Sequence, residues 1–143
     1  MEAKDLRIGN YIYRKDKIVE CDADILRSIE ALNATNNRGK VYFPIKLDEK
    51  WMLDFGFKYQ SRYVKRGYKQ TERFYISPRF GQEYWLEIQL AENSTFGHSF
   101  VWLHWDIGGG KRFVHLPEGH KLTYVHQLQN LFSTLSGKEL ELK

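Results

Sequence analysis

Apolar and polar positions change period several times along the chain, and each change marks an element. Residues 6–14 (Leu-Arg-Ile-Gly-Asn-Tyr-Ile-Tyr-Arg) read as a turn feeding a strand. Residues 18–21 pair back on it across the polar turn 15–17. Ile25, Ile29 and Leu32 then recur at helical spacing, with Asp24 as the expected N-cap and a polar loop over 33–39. Residues 41–47 look extended, and Pro44 confines them to an edge. Asp48 caps a short helix over 49–54, with Trp51, Met52 and Phe55 on its apolar side and Gly56 as its stop.

The middle of the chain is strand-like over 57–65, 68–77, 83–91, 99–105 and 112–116, with turns at Arg66-Gly67, 78–81, 92–94 and 108–110. Alternation is clearest at 84–90. There Tyr84, Leu86, Ile88 and Leu90 point one way, and Glu87 and Gln89 point the other. Residues 122–136 form the strongest helical pattern, with a stripe of Tyr124, Leu128, Leu131, Phe132 and Leu135. His126, Gln129, Asn130 and Ser133 make its polar side, and His126, Gln127, Gln129 and Asn130 read as solvated or capping groups. Thr123 caps its start and Gly137 its end, and 139–142 add a short final strand. Short connections between consecutive strands favour an antiparallel meander. The sum is an α+β fold: an antiparallel β-sheet, open or curled into a partial barrel, with two short helices and a C-terminal helix packed on one face. No linker or repeat divides residues 1–143, which read as a single domain.

Composition narrows the class. A chain of 143 residues buries enough surface for a core without metal or disulfides. Its 42% hydrophobic and 15% aromatic content argues against disorder. No apolar run approaches the ~18 residues of a spanning helix. The charged start, Met-Glu-Ala-Lys-Asp, lacks a signal core. The lone Cys21 has no intramolecular partner and suits a reducing compartment, so the expected location is cytoplasmic.

Charge is uneven. Residues 56–82 hold Lys58, Arg62, Lys65, Arg66, Lys69, Arg73 and Arg79 against the single acid Glu72, a net +6, while the rest of the chain is −2. The same stretch is rich in rings, Tyr59, Tyr63, Tyr68, Phe74 and Tyr75 among them. A hairpin there would project cations on one face and rings on the other. Cations draw phosphates by counterion release, and exposed rings stack on unpaired bases. The candidate nucleic-acid or partner-binding residues are Lys58, Arg62, Tyr63, Lys65, Arg66, Tyr68, Lys69, Arg73 and Arg79. The competing reading is a solvated outer face whose rings fill the core.

Other chemistry is thin. His104, Asp106 and His115 would make a metal or acid–base site if their strands brought them together, but HExxH, CxxC and helical His pairs are all lacking. Gly108-Gly109-Gly110-Lys111 fails the spacing of a phosphate loop and reads as a hairpin turn. Cys21 stands between Glu20 and Asp22, which oppose a thiolate. No catalytic residue, metal or cofactor is implied.

Three blocks carry a resemblance: Leu6-Arg7-Ile8-Gly9-Asn10-Tyr11-Ile12, then 44–57 (Pro-Ile-Lys-Leu-Asp-Glu-Lys-Trp-Met-Leu-Asp-Phe-Gly-Phe), then 122–132 with 135–140. They are similar to a group of small proteins from Bacteroidota-type bacteria and from their phages and mobile elements. The resemblance implies provenance and hands on no catalytic residue. Small phage proteins without an active-site signature commonly act by binding and blocking. The expectation is therefore a non-enzymatic binding protein that inhibits a host defence ribonucleoprotein, anti-CRISPR-like, by engaging the effector protein or its RNA. The alternatives are a nucleic-acid-binding accessory or regulatory module and a small hydrolase using the histidines. No membrane partner is expected.

Overall fold

The computed structural model describes residues 1–35, 41–66, 68–81, 83–94, 97–106, 108–117 and 122–143, with only the backbone described at 64–66 and 68–70. Residues 36–39 of the expected loop and Gly67 of the expected turn lie outside the described residues. The fold is α+β, with two antiparallel sheets where the sequence suggested one. Contacts divide it into two compact units: Met1–Lys46 with Tyr124–Leu140, and Leu47–Thr123 with Glu141–Lys143. No described helix is long and apolar enough to cross a membrane.

The first unit holds β1 (Tyr11–Arg14), β2 (Lys17–Glu20), α1 (Ala23–Ala34) and β3 (Tyr42–Phe43). Its sheet runs β2-β1-β3, so β3 is an edge strand that stops before Pro44. Leu6, Ile12, Cys21 and Ile29 form its core, with Val19, Ile25, Leu26 and Tyr42 packed against them. The cap of α1 is Asp22 rather than Asp24: its Oδ1 accepts the Ile25 N–H at 2.7 Å. Asp24 already lies inside the first turn, where it pairs with Arg27 instead.

The C-terminal helix belongs to this unit. Of the side chains expected to be solvated or capping, His126 and Gln129 are buried, and Gln129 and Asn130 bond the backbone of the chain's start. Gln129 is fully buried, accepts the Tyr11 N–H at 2.9 Å and donates to the Gly9 carbonyl at 3.0 Å. Asn130 Oδ1 accepts from Arg7 Nε at 2.8 Å and from Asn10 Nδ2 at 3.0 Å. Arg7 continues to Ser133 Oγ and to the Glu139 carboxylate. The Gln129 amide satisfies the Gly9 carbonyl and the Tyr11 N–H at the entry to β1, while the Gly9 N–H and the Asn10 carbonyl pair with Cys21. Gly137 ends the helix in the left-handed region, φ 68°, as its sequence position requires. The expected strand at 139–142 does not form.

The second unit holds α2 (Glu49–Asp54), β4 (Lys58–Arg66), β5 (Tyr68–Ile76), β6 (Tyr84–Gln89), β7 (Phe100–Asp106) and β8 (Lys111–Leu116). The helix of the first unit, Val125–Ser136, is α3. Asp48 caps α2 through the Trp51 N–H at 3.1 Å. The five strands form a meander in the order β4-β5-β6-β7-β8. β4 and β8 remain edges, so the sheet is open and the partial barrel is not formed. Closure would need those two edges to pair.

One sheet face carries Tyr75, Leu86, Ile88 and Val101, all fully buried. The opposite face carries Phe74, Trp85, Glu87, Gln89, Phe100, Trp102, His104, Phe113 and His115. Glu87 and Gln89 do point away from Leu86 and Ile88, yet both are buried. Large rings on neighbouring strands cover them: Trp102 stacks on Phe100 at 5.7 Å and meets Phe74 edge-on at 5.9 Å.

Candidate nucleic-acid interface

β4 and β5 pair over nine positions, from Lys58 opposite Ile76 to Arg66 opposite Tyr68. β5 meets β6 only at its end, where Tyr75 faces Ile88 and Ile76 faces Glu87. The remainder of the pair is a two-stranded ribbon running past the end of β6. Its composition allows this. Tyr, Val, Thr and Phe favour extended backbone, and the interleaved Lys, Arg, Gln and Ser tolerate water on either face. Gln60, Ser61, Arg62 and Tyr63 are exposed in succession, as are Thr71 and Arg73 on the partner strand. Since successive side chains of a strand alternate faces, the ribbon is wet on both sides.

Register sorts the side chains. Lys58, Gln60 and Arg62 share a face with Phe74 and Ile76, while Tyr59, Ser61 and Tyr63 share the other with Thr71, Arg73 and Tyr75. Cations and rings are thus not segregated, contrary to expectation. Lys58 and Arg62 fall on even positions of β4 and its tyrosines on odd ones. The register then places Arg73 with the tyrosines and Phe74 with the cations.

Arg62 is not a free cation. It donates to Glu87 Oε1 at 2.9 Å and also to Oε2, and its Cζ lies 5.0 Å from the centre of the Phe74 ring. Glu87 is only 4% exposed, and a carboxylate buried this far persists only with a cation beside it. His104 Nε2 stands 3.6 Å from Glu87 Oε2, beyond hydrogen-bond range, and makes no hydrogen bond. Burial lowers the His104 pKa, with Glu87 pulling the other way. Its ring stacks on Trp85 at 5.3 Å, and the Arg79 guanidinium sits 5.0 Å over the centre of that Trp85 ring. Arg79 is therefore placed against the sheet, outside the ribbon.

Lys58, Tyr63 and Arg73 are exposed on the ribbon, and Lys58 and Arg73 form no ion pair among the described residues. Lys65, Arg66, Tyr68 and Lys69 have side chains outside the described residues. The backbone register sets Lys65 opposite Lys69. Sequence reasoning passed over two members of this region. Tyr59 shares the parity of Tyr63. Glu87 is a charge at a strand position whose face neighbours, Trp85 and Trp102, are aromatic.

The remaining chemical candidates are held in packing. Burial, then Asp22 and Glu20, push the Cys21 thiol up to about 11. Burial also lowers the pKa of His126, whose ring stacks on Tyr124 at 5.8 Å. His104 and His115 share a sheet face and both pack on rings, Trp85 and Phe113 for His104 and Phe100 and Trp102 for His115, with Glu87 also beside His104. Among the described residues no three His, Cys, Asp or Glu side chains could hold a metal ion. His120 lies outside the described residues. Gly108–Gly110 belong to the connection between the hairpin strands β7 and β8, paired up to Asp106 opposite Lys111. Compared with family models, curated proteins and solved structures, the chain matches none.

Proposed function

We propose that the protein is a non-enzymatic binding protein of a phage or mobile element that engages the RNA of a host defence ribonucleoprotein through the basic β4–β5 ribbon, an anti-CRISPR-like role exercised in the cytoplasm. The observation that carries this reading is the ribbon itself. It runs past the sheet, meets water on both faces, and lies in the stretch that concentrates the chain's positive charge. A surface of this kind binds phosphates by releasing counterions and steers them in at long range. The likeness of the three blocks to proteins of phages and mobile elements supports the setting.

The test is binding of a labelled guide RNA, alone and in its effector, as salt is raised from about 50 to 200 mM. Four phosphate contacts on a single strand give a loss of roughly fifty-fold over that range. Lys58→Glu with Arg73→Glu should weaken binding further and restore interference by the effector in cells. Salt-independent binding, or full inhibition by the charge-reversed protein, overturns the proposal. Tight RNA binding with no effect on the effector would favour the accessory-module reading instead.

A further inference from the structure

The ribbon's odd-numbered face says more than its charge does. Tyr59 is 45% exposed and Tyr63 is 60% exposed. They stand four residues apart on β4, on the same face and about 13 Å from each other along the strand. Between them lies the small Ser61, and directly opposite Ser61 lies the exposed Arg73. The register thus sets an arginine between the positions of two exposed tyrosines. Tyr59 packs edge-on at 5.8 Å against Tyr75, its cross-strand neighbour on the same face, which holds its ring in place. None of the described side chains on this face of the ribbon is acidic (Tyr59, Ser61, Tyr63, Thr71, Arg73 and Tyr75).

We infer that this face is a stacking strip for single-stranded nucleic acid, in which Tyr59 and Tyr63 each take a base and Arg73 takes the phosphate between them. The inference rests on the proposed ribbon contact and adds the class of ligand. Base faces are open to a ring only where the strand is unpaired; in a duplex they are already covered by their neighbours. A tyrosine offers a flat, rigid ring with few torsions to freeze, and stacking tolerates any base. Arg73 supplies the charge that holds the backbone in register with both rings. Stacking on a ring tolerates any base, so the strip reads strandedness and not sequence.

The experiment uses the full chain and a labelled oligouridine, with a duplex of the same length as competitor, followed by fluorescence anisotropy across a salt series. The single strand should bind more tightly than the duplex. Tyr63→Ala should weaken it roughly five- to hundred-fold with the log–log salt slope unchanged, and Tyr63→Phe should keep most of the affinity. Arg73→Ala should instead flatten the slope by about 0.7, the signature of one lost phosphate contact. Tyr63 is exposed, so its loss leaves the fold intact, and Tyr59→Ala follows as the second variant with its melting curve recorded. Equal binding of duplex and single strand, or Tyr63→Ala indistinguishable from wild type, overturns the strip. If salt-dependent binding persists in that case, the basic ribbon stands and only the stacking fails. If no nucleic acid binds at any salt, both readings fall.

Discussion

Removing Arg62 tests the electrostatic root of the ribbon. Glu87 is 4% exposed and takes two hydrogen bonds from the Arg62 guanidinium. Arg62→Met deletes both and leaves the carboxylate facing His104, whose Nε2 is 3.6 Å away and makes no hydrogen bond. Breaking a fully buried pair costs about 3–5 kcal/mol. The Arg62 side chain is 44% exposed, so water partly replaces it, and we expect about 2–3 kcal/mol here. Removing both partners, in Arg62→Met with Glu87→Met, should recover most of that loss, because methionines suit a face already lined by Phe74, Trp85 and Trp102. Urea unfolding followed by tryptophan fluorescence reads the change as a midpoint shift of about 1 M.

A second readout separates charge from packing. In the wild type the His104 pKa is lowered by burial, so the unfolded state binds more protons. This part of the stability is complete above about 6.5 and is lost as pH falls through the folded value. In Arg62→Met one of the two cations that lower His104 is gone, while burial, Lys111 and Glu87 remain, so its pKa rises from the wild-type value. The decline becomes shallower: the single variant should gain stability relative to wild type as pH drops from 7 toward 5.5. A single variant within about 0.5 kcal/mol of wild type, or a double variant as unstable as the two singles combined, would refute the assignment.

Four further outcomes follow from the first unit. Gln129→Leu leaves the Tyr11 N–H and the Gly9 carbonyl unpaired and should cost about 2–4 kcal/mol in denaturant unfolding; a near-neutral variant would mean those groups find water. Asp22→Ala should cost about 1 kcal/mol and Asp24→Ala under about 0.5, and the reverse ranking would return the cap to Asp24. His126 is buried with its pKa lowered, so His126→Gln should flatten the decline in stability below pH 6.5, and an unchanged pH profile would contradict its burial as the cause. Cys21, with its thiol at about 11, should resist alkylation at pH 8 until the chain is unfolded; stoichiometric labelling of the native protein would count against its burial.

Period and punctuation carried most of the elements. The hairpin at 11–20, the Asp48 cap, the stop at Gly137 and the five-strand meander are local signals, each written within a few residues. What failed was non-local. Asp22 and Asp24 both suit a cap, and only the path of the backbone decides between them. One sheet became two because strand patterns carry no record of which strands pair across the chain. Whether the polar groups of α3 are solvated or capping is likewise undecided locally: Gln129 and Asn130 serve Arg7 and the Gly9–Tyr11 segment, over a hundred residues earlier, which need partners for their donors and carbonyls. In the ribbon, the charge surplus was legible from composition. The mixing of rings and cations on each face was not, since it depends on pairing register as well as alternation.

The polar network of α3 also bears on the proposed kinship. Two of the three blocks that carry the resemblance contain Arg7, Asn10, Gln129, Asn130 and Glu139, and these side chains meet through hydrogen bonds within the first unit. Such a network is demanding. Each member satisfies another, and losing one strands a donor or acceptor next to buried groups. A lineage that keeps this fold therefore has a physical reason to keep those letters, whatever its members bind. The ribbon from Lys58 to Ile76 lies outside the shared blocks and is under the opposite constraint. Apart from Arg62, which is held against Glu87, its residues at 60, 61, 63, 71 and 73 face water, so they can change with little cost to the fold. On this argument the polar network holds the scaffold, and the ribbon is free to vary. Replacing Gln60, Tyr63, Thr71 and Arg73 together by Ser should remove the proposed binding with the unfolding midpoint nearly unchanged. Binding retained by that variant would place recognition elsewhere than on β4 and β5.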